Sequence, residues 1–341
     1  MLNKMANAKA PEKKSLIIFF LITYGITFLM AFPMGYFFFA GKDITVFIAA
    51  QVLYPASGVI LGRLFCEKHR SALPFKFFLG FLTLTAVMIL WCFSLFFISD
   101  FSATTGSRYS TIIGSIILWI LYFLEQNETR EKHSLNGHNW YLCIQILGLF
   151  FLLFFARSLL THIIARDFSS WLNNISFFNV YILLISNCIS IFLFFPRYFG
   201  EEYGWRYFLQ PHLQQKVGAI KGVLILGFLW EAWHFPAVLF YYAPINLNDW
   251  VAVAQCVLVR YASTTGLAIF LCYAYTRTNN IWLVSLIHMF HNSFGIFLAE
   301  ITSSWIVIFS RIIADIAIFY PLLLTKPFKK TSCFSHPNKK I

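Results

Sequence analysis

The chain has 341 residues, 59% of them hydrophobic and only 12% charged, with 41 phenylalanines. That balance excludes both a soluble globular domain and a disordered chain. The net charge of +12 implies no nucleic-acid partner, because the basic residues form no clustered face with polar or aromatic readers; basic loops of this kind suit anionic membrane lipids.

Apolar runs long enough to cross a bilayer, about 20 residues, recur from end to end. They span 15–38, 44–65, 75–98, 109–124, 140–164, 175–196, 219–242, 251–275, 281–299 and 304–325. The fourth is short and the fifth contains Arg157, so the expectation is an all-α polytopic transmembrane bundle of nine or ten helices. The first run follows Lys4, Lys9, Lys13 and Lys14, as a signal peptide would. It is too long for one and lacks a small-residue cleavage pattern, so it reads as the first transmembrane helix.

The lysines and arginines test this segmentation. With the N-terminus in the cytoplasm, twenty of the 26 fall in cytoplasmic segments: the N-terminal lysines, 63–76, Arg130 and Lys132, 197–221, Arg277 and the C-terminal tail. Lys42, Arg108 and Arg166 fall outside, and Arg157, Arg260 and Arg311 lie within spans. The alternation supports ten helices with both termini cytoplasmic. A compact chain without a soluble domain suits a bacterial cytoplasmic membrane.

The seven cysteines, at 66, 92, 143, 188, 256, 272 and 333, show no zinc-ligand spacing and no pair in the outer loops, and read as small apolar residues. The longest polar interval, Glu125 to Asn139, reads as a cytoplasmic loop. No fixed-period repeat and no matched pair of broken helices is visible. Embedded ionisable groups concentrate between 197 and 300, so 1–170 reads as accessory transmembrane helices, 171–326 as the functional core and 327–341 as a basic cytoplasmic tail.

Three polar constellations lie in or beside the core's apolar runs, where charges are costly and usually functional. In Glu201-Glu202-Tyr203-Gly204-Trp205-Arg206, helical spacing stacks Glu202 beneath Arg206 as an ion pair. Glu201 points about 100° away and is left unpaired, fit for general-base use; taken alone, the segment also suits a juxtamembrane salt-bridge cluster. In Trp230-Glu231-Ala232-Trp233-His234, His234 shares nearly one face with Glu231. That carboxylate either orients His234 or pairs with Arg260 on the next helix. In His288-Met289-Phe290-His291-Asn292, His288 and Asn292 share a face and offer a proton carrier and an amide donor for an oxyanion. His291 lies on another face and is the weaker candidate. Interhelical polar glue is the alternative for this set.

The ordered set Glu201, Glu202, Arg206; Trp230, His234; His288, Asn292 resembles the CPBP family. That family joins CAAX prenyl endopeptidases of the Ras-converting type with bacterial bacteriocin-processing and immunity proteases. The resemblance covers roughly 175–300. It departs at Trp230, where the family often has Phe, at the additional acid Glu231, and at Tyr207, where a Gly usually follows the Arg and a larger ring predicts crowding. The resemblance implies a CAAX-protease-like core and intramembrane proteolysis of a membrane-bound peptide or lipid-anchored protein. In that mechanism Glu201 activates a water with help from His234, His288 and Asn292 steady the oxyanion, and Glu202 and Arg206 hold the first carboxylate. Members have been described both as metalloproteases and as glutamate-dependent, metal-free proteases. Glu201, His234 and His288 are the candidate ligands for a divalent metal such as zinc, with a fourth position open. Asn292 suits an oxyanion donor better, which favours the metal-free form.

Depth sets a condition. At 1.5 Å per residue, His288 lies ~10 Å into a helix beginning at 281, and His234 ~18–22 Å into one beginning at 219–222. Glu201 joins them only if the sixth helix runs past 196 or its segment turns back into the membrane. A water-filled chamber open to the cytoplasmic side would reconcile the three. The competing readings are a transporter using Glu201, Glu231, Arg260 and His234 as a path, and a catalytically silent member that binds or protects another membrane protein.

Overall fold

A computed structural model describes residues 13–67, 72–174, 177–242, 250–297 and 305–329. Expectations about Lys4, Lys9, Lys330, Lys339, Lys340, Cys333 and the two termini lie outside the described residues. No strand occurs among them. Ten long helices do: α1 (Lys13–Phe39), α2 (Thr45–Cys66), α3 (Phe75–Ser94), α4 (Asp100–Phe123), α5 (Trp140–Ala165), α6 (Phe177–Glu202), α7 (Ala219–Trp233), α8 (Trp250–Thr278), α9 (Ile281–Phe297) and α10 (Trp305–Phe319). Helices are what an apolar chain must form in lipid, because each backbone donor finds its acceptor within the same segment.

Seven of these segments are long and apolar enough to cross a membrane, or eight if α7 and the bent segment after it form one span. That is fewer than the ten runs expected. The fourth run is diluted: α4 starts at Asp100 and carries Arg108 and several serines and threonines. The ninth is short, with 17 residues in α9, about 25 Å at 1.5 Å per residue.

The bundle is apolar outside and polar within. Phe97, Phe101, Phe32 and Tyr141 are 78–87% exposed, while Glu202 and Arg206 are fully buried. A multi-pass membrane protein has this distribution, since lipid takes the place of water around it. The six described cysteines are free.

α6 is the central element, packing on α2, α4 and α9. It does not stop at 196. It continues through Pro196 to Glu202, enters a π-helical turn at Tyr203–Leu209 and runs on as Gln210–Val217. The Glu201 segment therefore lies inside the bundle, and Arg197 and Arg206 are not loop residues. A hydropathy boundary falls at the first charges even when, as here, they are neutralised within the protein. Two glycines allow the close approach of α6 to α2: a methyl group on Gly204 would overlap Pro55, and one on Gly200 would overlap the Val52 carbonyl.

α7 breaks at His234, and the following Phe235–Tyr242 turns away by 47°. Pro236 explains the break, since it lacks an N–H and its ring crowds the carbonyl four residues back. Gln51 Nε2 donates to the Trp233 carbonyl beside the break at 3.0 Å, and the Trp233 indole donates to Thr27 Oγ1 at 2.8 Å. The break is thus tied to α1 and α2. The break leaves His234 about 22 Å from the start of α7, so the depth condition is met from the other side: α6 runs past 196 and brings Glu201 to within 3.8 Å of His234.

Loops knit each end of the bundle. At one end His133 bonds the Ala72 carbonyl, Glu125 accepts from the Phe77 amide, and Asn280 donates to the His138 carbonyl. At the other, Lys42 reaches the Leu95 carbonyl and the Asp43 amide donates to Asp100. The basic loops expected in the cytoplasm belong to the first end.

Candidate active site

Glu201 and Glu202 end α6 just before the π turn, a common position for functional groups. Both are buried, Glu201 at 4% exposure. Their partners differ. Glu202 Oε1 meets His288 Nδ1 at 2.9 Å, and its Oε2 lies 3.1 Å from Arg206 Nε. The second contact is an ion pair without hydrogen-bond geometry, and none of the three guanidinium nitrogens has another acceptor. The Arg206 guanidinium instead lies over the Trp230 ring, 4.3 Å from its centroid, a cation–π contact strengthened by burial.

Glu201 carries no arginine or lysine partner among the described residues. Its Oε2 accepts from the Trp230 indole N–H at 2.8 Å and faces His234 Nε2 at 3.8 Å. The tautomer of His234 follows from its other nitrogen. Nδ1 stands 3.0 Å from the Trp230 carbonyl, which can only accept, so Nδ1 carries the proton and the neutral ring turns its Nε2 lone pair toward Glu201. At 3.8 Å the two groups do not hydrogen-bond to each other, and both face the cavity from which a water can reach them.

Of the two alternatives open in the sequence, Glu231 takes the pairing with Arg260, while the Trp230 carbonyl holds His234 Nδ1. Glu231 binds Arg260 at 2.9 Å and accepts from Thr264 at 2.6 Å, and its Oε2 lies 3.8 Å from His234 Nδ1. Asn292 is exposed and reaches none of the other candidates. Its Oδ1 meets the neighbouring His291 at 3.4 Å. Tyr207 does not crowd the site: its ring stacks on Tyr203 at 4.4 Å and points to Arg63 and His133.

One cavity of about 520 Å³ joins these groups, lined by Glu201, Trp230, His234, His288 and Asn292 together with residues from α2, α5, α8 and α10. Glu202 and Arg206 lie behind its wall. Sequence reasoning missed several lining groups, among them Arg157 and Arg311. A single charged residue inside an apolar run was their only signal.

The cavity does not lie on the side of the basic loops, where a chamber was expected. Thr45, Ala165, Tyr242, Gly295 and Val307 line it, and each stands near a helix end that belongs with the Lys42–Leu95 end of the bundle. Toward the basic loops, Tyr203, Trp205 and Leu209 are fully buried.

As arranged, the candidate metal ligands do not form a centre. Nδ1 of His288 is engaged by Glu202 and Nδ1 of His234 by a carbonyl, which leaves each Nε2 free to ligate. Among the described residues no three His, Cys, Asp or Glu donors converge as a metal site requires.

The sequence model of the type II CAAX prenyl endopeptidase Rce1-like family matches residues 179–294. This segment belongs to that family. The match runs from α6 to α9 and contains every residue of the Glu201, His234 and His288 constellations, so the Rce1-like segment and the cavity's reactive groups coincide. The family is one of membrane-embedded proteases. Neither the curated proteins nor the solved structures give a match to the chain.

Proposed function

We propose that the protein is an intramembrane endopeptidase that hydrolyses a peptide bond of a membrane-bound peptide or lipid-anchored protein, with 171–326 as the catalytic core and the earlier helices as its support. The observation that carries this reading is Glu201: a carboxylate without a fixed cation, oriented by Trp230 and facing the lone pair of His234 at 3.8 Å beside the cavity, within an Rce1-like segment.

In this reading Glu201 takes a proton from the water while His234 Nε2 accepts a hydrogen bond from its other O–H. The hydroxide equivalent adds to the scissile carbonyl. His288 keeps Nδ1–H on Glu202 and, protonated also at Nε2, donates to the developing oxyanion; the Asn292 amide is the second donor. Glu201 then passes the proton to the leaving amine, so carboxylate and ring return to their starting states. Arg206 holds Glu202, and Glu202 holds His288. No step is routed through a metal.

The test is cleavage of a quenched membrane-peptide panel in liposomes by wild type, Glu201→Gln and His288→Ala. Wild-type cleavage that falls by at least about a hundredfold in both variants, and survives a chelator, is expected. Cleavage retained in Glu201→Gln would sink the assignment of the base.

A further inference from the structure

Resting on the peptidase reading, we propose that the cavity holds a carboxylate subsite, formed by Arg311 and Arg197, that receives an anionic group of the peptide substrate. Four guanidinium groups line the cavity: Arg157, Arg197, Arg260 and Arg311. Two are neutralised in place. Arg157 binds Asp315 in bidentate fashion at 2.9 and 3.2 Å, and Ser263 donates to the same carboxylate at 2.6 Å. Arg260 is paired with Glu231 at 2.9 and 3.4 Å.

Arg197 and Arg311 are different. Neither has a carboxylate partner among the described residues. Arg197 Nε is buried without any hydrogen-bond partner, and its guanidinium rests 5.2 Å from the Phe194 ring centroid. Among the described residues, Glu201 is the one carboxylate lining the cavity, and it is engaged by Trp230. The cavity wall therefore carries two guanidinium charges in excess of the carboxylates that pair with its arginines. Unpaired charge at membrane depth is costly, and a planar guanidinium fork matches a carboxylate better than any other common biological anion except phosphate.

The position selects the carrier of that anion. Arg311 stands one helical turn before Asp315 on α10, and Ser263 three residues after Arg260 on α8. Glu231, the partner of Arg260, is 3.8 Å from His234. This polar wall leads from Arg311 through Arg157 and Arg260 to His234, and Arg197 lines the same cavity one helical turn before Glu201 on α6. A molecule that reaches Glu201 and presents an anion to this wall is the substrate peptide itself, whose anions are carboxylates, either the C-terminal group or an Asp or Glu side chain. Arg311 lies beyond the Rce1-like segment, so the family likeness does not assign it.

Three peptides of one sequence decide the matter in liposomes: one with a free C-terminal carboxylate, its C-terminal amide, and the amide with an Asp placed after the scissile bond. Wild type is expected to prefer one carboxylate form over the neutral amide by about tenfold or more in kcat/KM; which form wins distinguishes terminal from side-chain recognition. Arg311→Gln and Arg197→Gln should each bring that ratio toward one, and the Lys variants should restore part of it. Equal kcat/KM for all three peptides on wild type overturns the subsite, as does a ratio unchanged in both Gln variants. The wild-type comparison stands even if a variant fails to fold. If no peptide is cleaved, the peptidase reading fails separately. Fluorescence anisotropy of the same labelled peptides on the Glu201→Gln protein then reads the subsite alone. Tighter binding of a carboxylate form supports it, and equal binding overturns it.

Discussion

Trp230 is the residue whose chemistry is easiest to isolate. Its indole N–H is a donor only, it is spent on Glu201 Oε2, and its ring carries the Arg206 guanidinium. One side chain thus orients the candidate base and covers the cation behind its neighbour. Trp230→Phe keeps an aromatic face for Arg206 and removes the N–H. Losing one hydrogen bond to a charged group is worth about 1.5–3 kcal/mol, so kcat should fall roughly ten- to a hundredfold with the melting temperature in detergent changed little. Parallel rate and melting measurements check this; an unchanged kcat would mean that Glu201 is oriented by something else. The sequence made part of this site legible. Glu202 and Arg206 pair because residues four apart on a helix meet, and that follows from spacing alone. Trp230–Glu201, 29 residues apart, and His288–Glu202, 86 apart, arise from helix packing, which no spacing rule reaches.

At the scale of elements, hydropathy located the helices but misjudged where two of them end. α6 runs through Pro196 and a cluster of charges, because Glu202, Arg206 and His288 neutralise one another inside the bundle. α7 stops early at His234, because Pro236 breaks it and Gln51 holds the Trp233 carbonyl at the break. The loop after α4 shows the same tertiary control. His133 follows the short helix Asn127–Lys132, is 2% exposed, and places Nε2 against the Ala72 carbonyl and Nδ1 near the Tyr207 hydroxyl. Burial pushes its pKa down to about 4, and the nearby Arg63 charge pushes the same way. The folded state therefore keeps His133 neutral, while the unfolded chain protonates it below about 6.5. Stability should be full above that value, fall as pH drops from about 6.5 to about 4, and level off below. The linked loss is on the order of 3 kcal/mol. Melting temperature against pH should show this slope in wild type and lose it in His133→Gln. An identical slope in the variant would remove His133 from the acid sensitivity.

For the whole molecule, the polarity of the two ends sets which side of the membrane the chemistry serves. Lysines and arginines crowd the loops at the end closed by His133, Asn280 and the buried Tyr203–Leu209 turn. The cavity lies toward the opposite end, which carries Lys42, Arg108 and Arg166. Arg197 and Arg206 drop out of the loop tally once α6 is seen to continue, yet among the described residues Arg63, Lys76, Arg130, Lys132, Lys216, Lys221 and Arg277 still mark the same end. Basic loops stay in the cytoplasm, so the cavity should open to the external face and take its peptide from there. Single-cysteine labelling resolves this. Tyr242 lines the cavity and is 43% exposed, and Glu128 is exposed in the loop at the basic end. In a cysteine-free background, an impermeant maleimide should label Tyr242→Cys in intact cells and Glu128→Cys only after permeabilisation. The reverse pattern would place the cavity in the cytoplasm, with arginines and lysines outside against the usual bias. Buried ion pairs would then have to set the orientation, and the substrate would be a cytoplasmic one. Labelling of both positions from one side would show that the two loops do not lie at opposite ends of the bundle.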